Sequence, residues 1–153
     1  MSLIGQSAPS LTALYGTDKK PFDASAYAGK KLVVAFFPAA FTGVCEKELC
    51  TFRDSLASLN ELGGAVIGVA VDAPFSLAAF ASKNGLNFPL FSDYTRAVSD
   101  AWGVKMEGLG GLPGYTSSKR AVFVVGTDGN VIYEWVGPNP GVEPDYAAVK
   151  AAL

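Results

Sequence analysis

Lys31-Leu32-Val33-Val34-Ala35-Phe36-Phe37-Pro38-Ala39-Ala40-Phe41-Thr42-Gly43-Val44-Cys45-Glu46-Lys47-Glu48-Leu49-Cys50 is the stretch that decides the fold. Its first seven residues form a short, almost continuous apolar run, the pattern of a strand covered on both faces. Pro38 has no backbone N–H to give a sheet, so the strand ends there. From Val44 to Leu62 the apolar residues Leu49, Phe52, Leu56, Leu59 and Leu62 recur at steps of three and four. That period is helical, and Gly63-Gly64 stops it. Cys45 therefore falls where a strand turns into a helix, beside unpaired backbone N–H groups that favour the thiolate, the reactive form of cysteine.

The same alternation continues outward. Ala65 to Val71 reads as a second buried strand, Phe75 to Lys83 as a helix ended by Asn84-Gly85, and Phe88 to Phe91 as a short strand. Ser92-Asp93 is placed to cap a helix from Ala97 to Trp102. Glycine-rich Lys105 to Ser118 reads as a loop. Arg120 to Val125 and Val131 to Val136 flank Thr127-Asp128-Gly129-Asn130, a hairpin signal. A short helix from Asp145 to Ala152 follows a second loop. Strand–helix alternation argues for parallel pairing with helices on the sheet faces, and the hairpin adds antiparallel strands. The expectation is one α/β domain over residues 1–153, a central mixed β-sheet flanked by helices. Its functional edge is the C-terminal end of the first long strand.

Composition narrows the chemistry. Half of the 153 residues are hydrophobic and 17% are charged, as in a globular chain. A formal charge of −2 gives no reason to expect nucleic acid or an anionic membrane as partner. The N-terminus has no basic region followed by an apolar stretch, and no apolar run is long enough to span a bilayer, so the expected location is the cytoplasm. The chain has no histidine. That excludes a Ser-His-Asp triad and a Cys-His pair, and a zinc site would need an unusual mix of cysteines and carboxylates. Activation of Cys45 then falls to a helix terminus, an arginine or a lysine.

Thr42 stands one helical turn before Cys45, where its hydroxyl can donate to a sulfur or oxygen near the thiolate. Glu48 lies three residues after Cys45, on nearly the same helical face. A carboxylate there disfavours a thiolate unless a cation answers it. Arginine has enough donors to bridge both groups. Arg120 is the best candidate, because it opens the strongly apolar run Ala121-Val122-Phe123-Val124-Val125; Arg53 and Arg96 are the rivals, on positions that more often face water. Cys50 is five residues after Cys45. On an ideal helix this is a rotation of about 140° and a rise of about 7.5 Å, beyond the usual reach of about 7 Å between the Cα atoms of a disulfide. A direct bond would require the first turns to unwind. Each residue also has a plainer reading: buried cysteines are often inert, Thr42 and Pro38 could be a cap and a strand stop, Glu48 and Arg120 could be solvated charges, and Asp72 a turn former.

Pro38, Thr42 and Cys45 together resemble the active-site pattern Pro-x-x-x-Thr-x-x-Cys of the peroxiredoxins. The similarity extends from about Gly5 to Ala148 and includes Val71-Asp72, Phe88-Pro89-Leu90 and Asp128-Gly129. It implies a thioredoxin-like fold with the peroxiredoxin N-terminal additions, and reduction of hydrogen peroxide and organic hydroperoxides without metal, flavin or other cofactor. Cys45 would be the peroxidatic cysteine; Thr42 and Arg120 would hold the peroxide, Pro38 would shield the thiolate, and Glu48 would orient Arg120. The Cys-x-x-x-x-Cys spacing looks like the Q-type branch, or bacterioferritin comigratory protein, in which Cys50 would resolve the sulfenic acid as an intramolecular disulfide. A thioredoxin-like or glutaredoxin-like reductant would then reopen it. The segment Ala39 to Val44 also looks like the one-cysteine E type, which leaves open an external resolving thiol and either a monomer or a homodimer. A thiol–disulfide oxidoreductase is disfavoured by four intervening residues where such enzymes have two. A redox-sensing chaperone is the remaining non-enzymatic reading.

Overall fold

The computed structural model describes residues 2–153. In chain order its elements are β1 (Tyr15–Gly16), β2 (Lys31–Phe36), α1 (Gly43–Glu61), β3 (Gly64–Ala70), α2 (Pro74–Lys83), β4 (Leu90–Ser92), α3 (Ala97–Ala101), β5 (Lys105–Glu107), β6 (Thr116–Ser118), β7 (Ala121–Val125), β8 (Val131–Val136) and α4 (Tyr146–Ala151). Six strands form a mixed sheet in the order β1-β4-β3-β2-β7-β8. β2, β3 and β4 run parallel, while β1, β7 and β8 pair antiparallel with their neighbours.

The apolar runs are explained by burial on both faces. Val33, Ala35 and Phe37 point into one cluster with Leu49, Phe52, Leu77, Phe80 and Val149, residues of α1, α2 and α4. Leu32, Val34 and Phe36 point the other way, to Leu14, Phe22, Val98, Trp102 and Phe123. Alternate residues of a strand face opposite sides, so a strand with both sides covered has no polar position to spare. Gly68 in β3 marks the tightest approach: a Cβ there would lie 2.5 Å from a Leu90 methyl and 3.4 Å from Leu49 and Phe37. Trp102 is a packing residue, set between Phe36 and Phe123 at ring separations of 5.7 and 5.0 Å.

Two local expectations need correction, and one short strand went unseen. Lys105 to Ser118 is a β5–β6 hairpin pairing Lys105 with Ser118 and Glu107 with Thr116. Gly108 and Gly110 turn it at φ of +78° and +66°, a region glycine enters without steric cost. Its strands are three residues each and lack an apolar run, so they left no periodic signal. The two-residue strand β1 had no signal in the sequence; it forms a sheet edge through two pairs with β4. Asp93 does cap α3, but from outside the cap position. Its two carboxylate oxygens accept from the backbone N–H groups of Val98 and Ser99 at 3.1 and 2.7 Å, while Arg96 occupies the cap with a left-handed backbone.

Candidate active site

The strand register brings the site together. β2 and β7 are antiparallel with Phe36 opposite Ala121. The residue leaving β2 therefore lies beside the residue entering β7, and Arg120 is delivered to the edge from which the Cys45 segment departs. β8 returns antiparallel with Val136 opposite Ala121, so the following loop leaves at the same edge. The Gly137 N–H donates to the Arg120 carbonyl at 2.8 Å and fixes that loop's start.

Arg120 is 2% exposed, while Cys45 and Glu48 are fully buried. The guanidinium Nη2 donates to Cys45 Sγ at 3.0 Å, and Nη1 donates to Glu48 Oε2 at 2.9 Å. Nε and Nη2 also donate to the Pro140 carbonyl at 3.2 and 2.9 Å. Four of the five N–H donors of an arginine are thus engaged, and the planar fork is held from three directions. Burial pushes the Glu48 carboxyl up to about 7, against the opposing pull of Arg120. Glu48 Oε1 is buried without a partner among the described residues. Lost hydration is the main physical cause that disfavours the anion, and the nearby Glu143 charge adds to it.

Pro38 is buried at the end of β2, and the Phe37 carbonyl before it accepts from Ser118 Oγ at 3.1 Å. Phe41, half exposed, has a left-handed backbone with φ of +64° and packs edge-on against Phe80 at 5.3 Å. A non-glycine residue there costs about 1–3 kcal/mol, so the loop shape must be held from elsewhere. Part of that hold is Asp72, whose Oδ1 accepts from the Ala40 N–H at 3.2 Å. Thr42 is the N-cap residue of α1 but makes no side-chain cap; its hydroxyl donates to the Ala39 carbonyl at 2.9 Å rather than toward the sulfur. The first backbone hydrogen bond of α1 is from Glu46 to Thr42. The N–H groups of the preceding turn have no side-chain acceptor among the described residues.

Cys50 is half-buried and turned elsewhere, its Sγ 3.6 Å from Asn84 Oδ1 at the end of α2. Both cysteines are free thiols, and α1 is continuous between them. The rival arginines lie outside the cluster. Arg53 binds Asp54 and the Asn84 carbonyl, while Arg96 binds the Thr116 and Tyr94 carbonyls. Sequence reasoning missed the Pro140 carbonyl, Ser118 and the Asp72 contact. A carbonyl carries no side-chain signal, though the stretch from Gly137 to Pro144 did read as a loop.

The AhpC/TSA family pattern matches residues 4–134. The chain belongs to the AhpC/TSA family. A Mycobacterium tuberculosis protein assigned to the peroxiredoxins is 38% identical over 130 residues, which cover 84% of this chain and 81% of that one. Chloroplastic peroxiredoxin Q of Populus jackii is 40% identical over 77% of this chain and 56% of its own length. Among solved structures, bacterioferritin comigratory protein of Xanthomonas campestris, studied for alkyl peroxide reduction, superposes with a TM-score of 0.81 at 27% identity over 97% and 96% of the two chains. This AhpC/TSA member is a thiol peroxidase on the thioredoxin fold, with peroxiredoxin Q and bacterioferritin comigratory proteins as its relatives. No helix among the described residues is long and apolar enough to cross a membrane.

Proposed function

We propose that Cys45 is the peroxidatic cysteine and that Cys50 resolves it within the same chain. The observation that carries this reading is the Arg120 guanidinium shared between Cys45 Sγ and Glu48 at 3.0 and 2.9 Å in a buried site. The Cys45 thiolate attacks one oxygen of a hydroperoxide; an S–O bond forms, the O–O bond breaks, and water or alcohol leaves after taking a proton. Preorganised donors at the charge shifting between those oxygens are where catalysis gains most. Arg120 and the free N–H groups at the start of α1 supply them. Thr42 has committed its proton to Ala39, so its oxygen lone pairs accept from the hydroperoxide O–H. Pro38 excludes water, and Glu48 orients Arg120.

The Cys45 sulfenic acid is then attacked by Cys50, a disulfide forms, and a thioredoxin-like reductant reopens it. The Cys-x-x-x-x-Cys spacing and the peroxiredoxin Q relatives support this branch. The substrate class is hydrogen peroxide and small organic hydroperoxides, and the setting is the cytoplasm. Cys45→Ser should reduce peroxide consumption to background. Cys50→Ser should still consume one equivalent of peroxide per chain but form no internal disulfide. Normal turnover by Cys45→Ser would remove the assignment. Steady turnover of Cys50→Ser with a thioredoxin at the wild-type rate would favour external resolution instead.

A further inference from the structure

Resolution by Cys50 requires the first turns of α1 to open, because an intact helix places five-residue neighbours about 140° apart. Besides the buried contacts of Cys45 and Glu48 with Arg120, those turns are tied by side chains that the peroxide chemistry does not use. Glu46 and Lys47 directly follow Cys45, and each is tied to a different element. Glu46 Oε1 accepts from Lys83 Nζ, at the end of α2, at 2.7 Å. Lys47 Nζ lies 3.0 Å from Glu143 Oε2, in the loop before α4.

Both anchors are held in place. The Lys83 ammonium also sits over the Phe41 ring, 5.6 Å from its centre. Glu143 accepts from the Tyr146 hydroxyl at 2.8 Å, and the Tyr146 ring packs edge-on against Phe52 of α1 at 5.4 Å. The end of α2 grips more than one turn: next to Lys83, Asn84 faces Cys50 with its side chain and takes Arg53 on its carbonyl. Residues 46, 50 and 53 fall at helical steps of four and three, one stripe along α1. The hydrogen bond from Lys83 holds the Glu46 carboxyl below its ordinary range.

We propose that Lys83 and Glu143 are positioning residues that clamp the first turn of α1 from two elements and thereby set how the Cys45 sulfenic acid partitions between resolution and further oxidation. The proposal rests on Cys50 being the resolving thiol. In resolution the Cys50 sulfur displaces the hydroxyl of Cys45–SOH; the S–S bond forms, the S–O bond breaks, and water leaves with the thiol proton. In the competing step the sulfenate attacks a second hydroperoxide; a second S–O bond forms, the O–O bond breaks, water or alcohol leaves, and Cys45 becomes a sulfinic acid. Only the first step needs α1 to open, so a tighter clamp favours the second. Exposed ion pairs are weak, roughly a two- to fivefold effect each, which makes them a bias and not a lock. They are also screened by salt.

The test combines hydrogen exchange of residues 43–50 in the reduced chain with intact mass after excess hydrogen peroxide. In Lys83→Met and Glu143→Gln, exchange of that segment should rise about two- to fivefold relative to the rest of the chain, and the ratio of disulfide to sulfinic product should rise with it. Raised ionic strength should move the wild-type chain the same way and leave the chain carrying both Lys83→Met and Glu143→Gln unmoved. The swapped pair Glu46→Lys with Lys83→Glu should restore the wild-type partition. Unchanged exchange, a rise spread evenly over the whole chain, or failure of the swap would overturn the clamp. If exchange responds but the wild-type chain forms no Cys45–Cys50 disulfide, the Cys50 reading fails and the partition with it, and the mechanical clamp stands.

Discussion

Cys45 and Cys50 lie on one helix, yet their surroundings have almost nothing in common. Cys45 is fully buried against a guanidinium that also holds a buried carboxyl. Cys50 is half-buried, and its Sγ lies 3.6 Å from a neutral amide oxygen. The difference shows that what a cysteine does here is set by what long-range strand pairing brings to it. Arg120 is 75 residues away in sequence from Cys45 and arrives through the β2–β7 register. In the proposed reading, one cysteine meets peroxide and the other waits on a helix that must open.

Removing Arg120 should erase the contrast most strongly. Arg120→Met strips Cys45 of its charged donor and leaves Glu48 buried without a counter-ion. The second-order rate with hydrogen peroxide should fall by about 10²–10³-fold, and unfolding stability by about 3–5 kcal/mol; stopped-flow kinetics and denaturant titration measure the two. Near-normal rates would show that Arg120 is only a structural partner of Glu48.

Glu48 sharpens the comparison through pH. Its carboxyl titrates near 4.5 ordinarily and about 7 when folded, because burial penalises the anion. As pH rises, the unfolded chain therefore loses this proton first. Stability that depends on protonated Glu48 is complete below about 4.5 and drains away as pH approaches 7, by about 3 kcal/mol. Glu48→Gln should flatten that part of the stability profile while keeping an acceptor for Arg120. Parallel profiles for the two chains would contradict the buried-carboxyl account.

The smallest effect belongs to the Cys50 side. Asn84→Ala removes the neighbour of Cys50 and one hydrogen bond to the Phe80 carbonyl. It should cost about 1 kcal/mol of stability, while the first reaction of Cys45 with peroxide stays at the wild-type rate. A marked loss of that first rate would mean the two cysteine environments are coupled before α1 opens.

Much of this contrast was legible in the chain. Continuous apolar runs announced β2, β3 and β7 because both faces of the sheet are covered. The absence of histidine threw activation onto a helix terminus or a cation, and the arginine opening a strand of five apolar residues was the best candidate for it. Other parts had no local signature. The hold of Pro140 on Arg120 is a backbone carbonyl, the β5–β6 hairpin lacks apolar alternation, and the Lys83 and Glu143 contacts join residues 37 and 96 positions from their partners. Thr42 shows a subtler limit: its position was readable, but the direction of its hydroxyl depends on the left-handed turn at Phe41.

The most direct measurement is intact and peptide mass of the reduced chain after one equivalent of hydrogen peroxide. The account predicts the loss of two hydrogens and a peptide cross-linked between Cys45 and Cys50. Oxygen retained on Cys45 with Cys50 still a free thiol would contradict resolution within the chain, and oxidation of Cys50 with Cys45 untouched would contradict the assignment of the site.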